Sequence, residues 1–246
     1  MTPVPPNYGR SAEGTRPWFF FRDIFQHNQV VTQPARSLPN KRNTIARRLV
    51  QLGIGLTLFG VGIGLMLESG LGVPPWDVLH QGLAVRFGLT VGVWSIIVSA
   101  VVLLFWIPLE ERIGIGTVAN TIIIGVMIDA TSAVIPDADN TPIAWLMLLA
   151  GILLIGLASG LYIGANFGPG PRDGLMTGIA KRGHSIRLTR TVLEVAVLAA
   201  GWALGGTFGW GTVLFALLIG PLVHFFLPRL STSTAVVADP LGYEAR

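Results

Sequence analysis

The chain has 246 residues, of which 51% are hydrophobic and 12% charged, against roughly 25% charged in soluble domains, and its mean hydropathy is +0.63. This composition excludes a disordered chain and argues against an ordinary soluble domain. The formal charge is +4, but eight of the 17 basic side chains (Arg10, Arg16, Arg22, Arg36, Lys41, Arg42, Arg47 and Arg48) precede residue 49 with only Glu13 and Asp23 among them, and no nucleic-acid motif accompanies them.

Taken in chain order, residues 1–48 form a basic tail expected to be flexible, to stay in the cytoplasm and to be drawn to anionic lipid. The first long apolar run begins only near Leu49, so the start lacks the apolar core of a secretory signal. It is Arg-rich and acid-poor like a transit peptide, but has few Ser and several Pro. Trp18, Phe19, Phe20, Phe21 and Phe25 between basic residues suit either a short interfacial anchor or local packing.

Six apolar runs follow: Leu49 to Leu67, Thr90 to Leu109, Ile113 to Ile135, Ile143 to Gly164, Leu188 to Leu204 and Thr212 to Leu227. Each approaches the ~20 residues that cross about 30 Å of hydrocarbon. Between the first and second runs, and again between the fourth and fifth, lie short segments opened by Gly and Pro. After its proline pair, the first has room for about a dozen helical residues, roughly 18 Å. That is half a membrane, and it predicts a re-entrant or interfacial helix. If both short segments enter and return, both termini are cytoplasmic, including the tail 229–246, and the acidic loop 136–142 is outside. The positive-inside rule agrees, placing Arg172, Lys181, Arg182 and Arg187 inside. The loop with Glu110, Glu111 and Arg112 fits less well.

A shift of 96 residues lays Gly168 to Arg182, GPGPRDGLMTGIAKR, on Gly72 to Arg86, GVPPWDVLHQGLAVR, with seven of 15 positions identical, where average amino-acid usage gives about one. The matches include Pro75 with Pro171 and Asp77 with Asp173. Upstream, Gly60 and Gly64 fall on Gly156 and Gly160; downstream, after a one-residue slip, Gly114 to Val118 falls on Gly209 to Val213. The chain is therefore read as two copies, 49–135 and 143–228, each ordered span, short segment, span, span. Three crossings per copy make the second copy enter from the opposite side, the inverted duplication of many transporter folds. The expected fold is all-α and polytopic, with two inverted repeats of three spans. If the short segments cross, the repeats are parallel and the transport argument weakens.

Pro75 and Pro171 stop the preceding chain and start helices, each with an acid in the first turn. Asp77 and Asp173 either complement those N-termini or join them in presenting a polar site near the midplane. Arg172, which replaces Trp76 of the first copy, either pairs with an anion or serves as an orientation charge. Glu194 lies inside the fifth run, four residues after Arg190, as a structural ion pair or as a proton or substrate relay. Asp129 aligns with His224; it is taken as a coupling candidate or an interfacial residue. Gly60 with Gly64, and Gly156 with Gly160, are small-xxx-small pairs for close helix packing. His27, His80, His184 and His224 lack metal-ligand spacing, no hydrolase or phosphate-loop motif is present, and the absence of Cys removes thiolate metal sites, Cys nucleophiles and disulfides. No enzyme activity, metal or cofactor is expected.

At GLGVPPWDVLHQGL and GPGPRDGLMTGI the sequence resembles the YczE-like membrane proteins, related broadly to the YyaS and YitT group. The likeness covers about residues 45–228 and centres on Gly72, Pro75, Trp76, Asp77 and Leu79, and on Gly168, Gly170, Pro171, Asp173 and Gly174. It implies a multi-pass protein of a bacterial plasma membrane and brings no activity with it. The function expected from the repeat is small-solute transport or export, with Pro75, Asp77, Pro171, Arg172 and Asp173 binding a small polar or charged solute and Arg190, Glu194 and Asp129 as relay candidates. The alternative is a non-transporting membrane scaffold or regulator acting through its Gly-lined helix faces and basic tail. Homo-oligomerisation is left open.

Overall fold

The computed structural model describes residues 41–231, and the expectations for the basic tail before them and for residues 232–246 lie outside the described residues. Eight helices follow in order: α1 (Lys41–Glu68), α2 (Pro75–Phe87), α3 (Val91–Leu109), α4 (Ile115–Val134), α5 (Thr141–Gly164), α6 (Pro171–Ala180), α7 (Ile186–Ala203) and α8 (Trp210–Leu230). No strand occurs among the described residues.

Five helices, α1 from Ile45, α3, α4, α5 and α8, are long and apolar enough to cross a membrane. The sixth expected span exists as α7, but it differs in kind. It has 18 residues, the bare minimum for a span, and carries Arg187, Arg190 and Glu194 in its first half, which lowers its hydropathy below that of the other five. The first helix also starts earlier than Leu49, at Lys41, so the apolar run is the inner part of a longer helix.

The two short helices appear where the prolines place them. Pro75 and Pro171 occupy the first turn of α2 and α6, where a missing N–H costs nothing. With 13 and 10 residues respectively, they extend about 20 and 15 Å.

The core is built on α1 and α5. Of the five apolar helices α5 is the most enclosed, at 56% buried, and α8 the least, at 17%. α1 and α5 run antiparallel. Gly55 lies against Ala158 and Tyr162, and Gly62 against Gly151 and Ile155, near enough that a Cβ on either glycine would meet backbone at 2.8–2.9 Å. At the ends, Arg48 donates to the carbonyl of Ala165 (2.9 Å) and Glu68 accepts from the Ala138 N–H (2.9 Å). Leu56, Ile63, Met66, Leu148, Ile152 and Ile155 fill the seam.

Matched positions make matched contacts. Gly60 and Gly64 of α1 pack on Met127 and Thr131 of α4, and Gly156 and Gly160 of α5 pack on Leu222 and Phe226 of α8. Gly116 donates to the Phe167 carbonyl (2.9 Å), and its counterpart Gly211 donates to the Leu71 carbonyl (2.8 Å). Gly72 and Gly168 sit at φ +113° and +117°, Gly72 close against Gly209 and Thr212, Gly168 against Gly114 and Thr117. A left-handed backbone and a close approach coincide at these two positions, so each needs glycine. The loop before each short helix is thus hooked to the start of the last helix of the other half. The short helices follow: α2 packs on α7 and α6 on α3.

The correspondence fails at one seam. α3 closes on α4 through Gly92 and Gly125, where added Cβ atoms would strike the facing backbone or Ile96. α7 makes no comparable contact with α8: Leu188 stands at the place of Gly92, and nothing lies within 4 Å of a Cβ on Gly220, the counterpart of Gly125.

Candidate functional site

The N-termini of α2 and α6 converge. Asp77, fully buried in the first turn of α2, accepts at Oδ1 from Arg172 Nη2 of α6 (3.3 Å) and lies 3.0 Å from His80 Nδ1, one turn on. His80 is equally buried. The Arg172 guanidinium also lies over the Trp76 ring, 5.3 Å from its centroid. Since Trp76 and Arg172 are counterparts in the two halves, their contact places the site where the halves meet. The ion pair is one-sided for the same reason: Asp77 faces Arg172, whereas Asp173 has Trp76 at the equivalent place. Asp173 is exposed and accepts at Oδ2 from the Tyr162 hydroxyl of α5 (2.9 Å).

Three buried polar atoms in this cluster have no hydrogen-bond partner among the described residues: Trp76 Nε1, Asp77 Oδ2 and His80 Nε2. Buried polar groups are nearly always paired, so such a group of orphans points to a ligand or water position. α6 is held in place by Trp106 of α3, whose Nε1 donates to the Pro171 carbonyl (3.0 Å) and whose ring leaves room only for glycine at position 174.

Arg190 and Glu194 stand on one face of α7, joined by a 2.8 Å bond from Nε to Oε1. With Pro75 of α2 and Phe215, Ala216 and Ile219 of α8 they line a cavity of about 170 Å³. This cavity occupies the seam that α3 and α4 close in the other half.

Of the residues singled out from sequence, Pro75, Asp77, Pro171, Arg172 and Asp173 come together, and Arg190 and Glu194 line the adjoining cavity. Asp129 does not join them. Its carboxylate accepts from the Thr90 hydroxyl (2.5 Å) and the Gly92 N–H (2.8 Å), fastening the N-terminus of α3 to α4. The bonds tie the two helices, favoured by the helix dipole, and hold Asp129 apart from the other candidates. The sequence reading missed His80, Tyr162 and the direct part played by Trp76. His80 had a signal, lying three residues after Asp77 on the same helical face; Tyr162 reaches the site only through tertiary packing. Among the described residues no group of His, Asp and Glu suits a metal ion.

Residues 46–228 match a family of unknown function, DUF6198. The chain belongs to this family. It is 43% identical over 173 residues to an uncharacterized protein of Haemophilus influenzae, covering 70% of this chain and 79% of the relative. It is 38% identical over 179 residues to the uncharacterized membrane protein YczE of Bacillus subtilis, covering 71% and 83%. A third relative, the uncharacterized protein YyaS of Bacillus subtilis, is 33% identical over 184 residues, covering 72% and 90%. No solved structure matches. The membrane relative and the five apolar helices together make this a multi-pass integral membrane protein.

Proposed function

We propose that this DUF6198 protein is a small-solute transporter or exporter whose two halves are inverted repeats. Its site would lie where the two short helices meet, and no enzymatic step or cofactor is invoked. The observation that carries the reading is the Asp77–Arg172 pair joining the N-termini of α2 and α6, with unpartnered buried polar atoms beside it. An ionisable cluster inside a membrane protein is costly, and it marks a pathway by default. Short helices at matching places in two halves are the usual location of a transporter site. The antiparallel α1–α5 pairing supports inversion, since helices at matching places that run oppositely must enter from opposite sides if both cross.

The alternative, a scaffold acting through Gly-lined faces, loses part of its basis: Gly60, Gly64, Gly156 and Gly160 are all occupied by α4 and α8 of the same chain. The test is uptake of radiolabelled small amino acids, amines and carboxylates into proteoliposomes. Wild type should move at least one solute, and Asp77→Asn and Asp173→Asn should each reduce that flux at least tenfold while still inserting and folding. Equal flux in both variants, or none from wild type across the panel, would overturn the reading.

A further inference from the structure

The open α7–α8 seam faces the charged side of one helix with the apolar side of another. Arg190 and Glu194, one turn apart on α7, oppose Phe215, Ala216 and Ile219, which lie on one face of α8. The 2.8 Å bond between Arg190 and Glu194 uses one nitrogen and one oxygen, and among the described residues neither the terminal amino groups of the guanidinium nor the second carboxylate oxygen makes another hydrogen bond. The side chains are 56% and 31% exposed, so the pair is open to the cavity and is not consumed by packing. The other half closes the equivalent seam with glycines and Asp129, whereas here Leu188 and an unopposed Gly220 keep it open. A cavity of about 150 Å³ accommodates benzene, so the 170 Å³ here suits an apolar body of roughly six or seven non-hydrogen atoms, with charged ends reaching the ion pair at its open side.

We propose that this cavity binds a small organic zwitterion with an apolar body, its carboxylate on Arg190, its ammonium on Glu194 and its body against Phe215 and Ile219. Two opposite charges beside one apolar wall complement such a molecule better than a lone cation or anion, either of which meets one attractive and one repulsive group. The assignment rests on the transporter reading, for which Pro75 links the cavity to the Asp77 site, but its test measures equilibrium binding and needs no flux.

The probes are L-leucine, 3-methylbutylamine and 4-methylpentanoate, which share an apolar body and differ in charge, titrated at neutral pH against the full chain in lipid nanodiscs. L-Leucine should bind at least tenfold more tightly than either singly charged probe. Arg190→Gln and Glu194→Gln should each weaken L-leucine at least tenfold, as should Ala216→Phe, which fills the cavity and leaves both charges in place. Helical circular dichroism and size-exclusion profiles check that each variant is folded. Equal affinity for the three probes, tighter binding of the amine or the acid, no L-leucine binding, or folded variants that bind as wild type would each overturn the assignment. If L-leucine binds as expected but reconstituted protein moves no solute, the site stands and the transporter reading falls; if solute flux depends on Asp77 but L-leucine does not bind, the reverse holds.

Discussion

The two members of the Asp77–Arg172 pair are unequally buried. Asp77 is fully enclosed, while the Arg172 side chain is 23% exposed and rests on Trp76. Removing the guanidinium strands a buried carboxylate with only His80 beside it; removing the carboxylate charge leaves a cation that reaches solvent. Arg172→Gln should therefore cost ~2–4 kcal/mol, near the lower part of the range for breaking buried pairs. Asp77→Asn should cost only ~1 kcal/mol, because a partly exposed cation is readily solvated. Thermal unfolding of the detergent-solubilised protein checks this, with Arg172→Gln expected to melt below Asp77→Asn and the double variant to recover part of the loss. The reverse order would mean that Arg172, not Asp77, is the more tightly held member. At this scale the sequence disclosed what repetition and cost make visible: a Pro-x-Asp element twice over, and charges inside apolar runs. It did not disclose Tyr162, an ordinary aromatic on α5 until α6 is packed beside it, or that Asp129 bonds Thr90 and Gly92 at the start of another helix.

Among the elements, apolar run length revealed the long helices and proline placement revealed the short ones. What run length could not reveal is which seams close, because closure depends on whether a glycine on one helix meets a glycine on the next. Gly125 and Gly220 hold matching positions in α4 and α8, yet a Cβ on Gly125 would lie 2.5 Å from Ile96 and 2.6 Å from the Gly92 carbonyl, whereas one on Gly220 meets nothing within 4 Å. Gly125→Ala should destabilise by ~1–3 kcal/mol through overpacking. Gly220→Ala should be neutral or gain up to ~1 kcal/mol from helix propensity. Melting temperatures of the two single variants in the same detergent make the comparison, and equal losses would show that α7 and α8 close on each other in solution as α3 and α4 do.

For the whole molecule, inversion depends on how α7 lies relative to the membrane, since its charges set it apart from the five apolar helices. The contacts exchanged between halves favour a crossing: α7 holds the position of α3, and α2 packs on α7 as α6 packs on α3. If α7 crosses and both short helices return to the side they entered from, the α3–α4 and α7–α8 connections lie on opposite faces. Arg112 and Phe208 are exposed residues in these two connections, at matching positions in the halves, and the chain has no native cysteine. Arg112→Cys and Phe208→Cys, one per protein, therefore report the two faces without background. With the positive-inside rule placing residues 181–187 in the cytoplasm, Phe208→Cys should react with a membrane-impermeant thiol reagent in intact cells, and Arg112→Cys only after permeabilisation. Labelling of both from one side would mean that α7 stays at the surface, since crossing by both short helices would make α1 and α5 parallel and they run antiparallel. The second half would then not be a full inverted copy of the first, and the convergence of α2 and α6 would be a packing feature instead of the midpoint of a transport path.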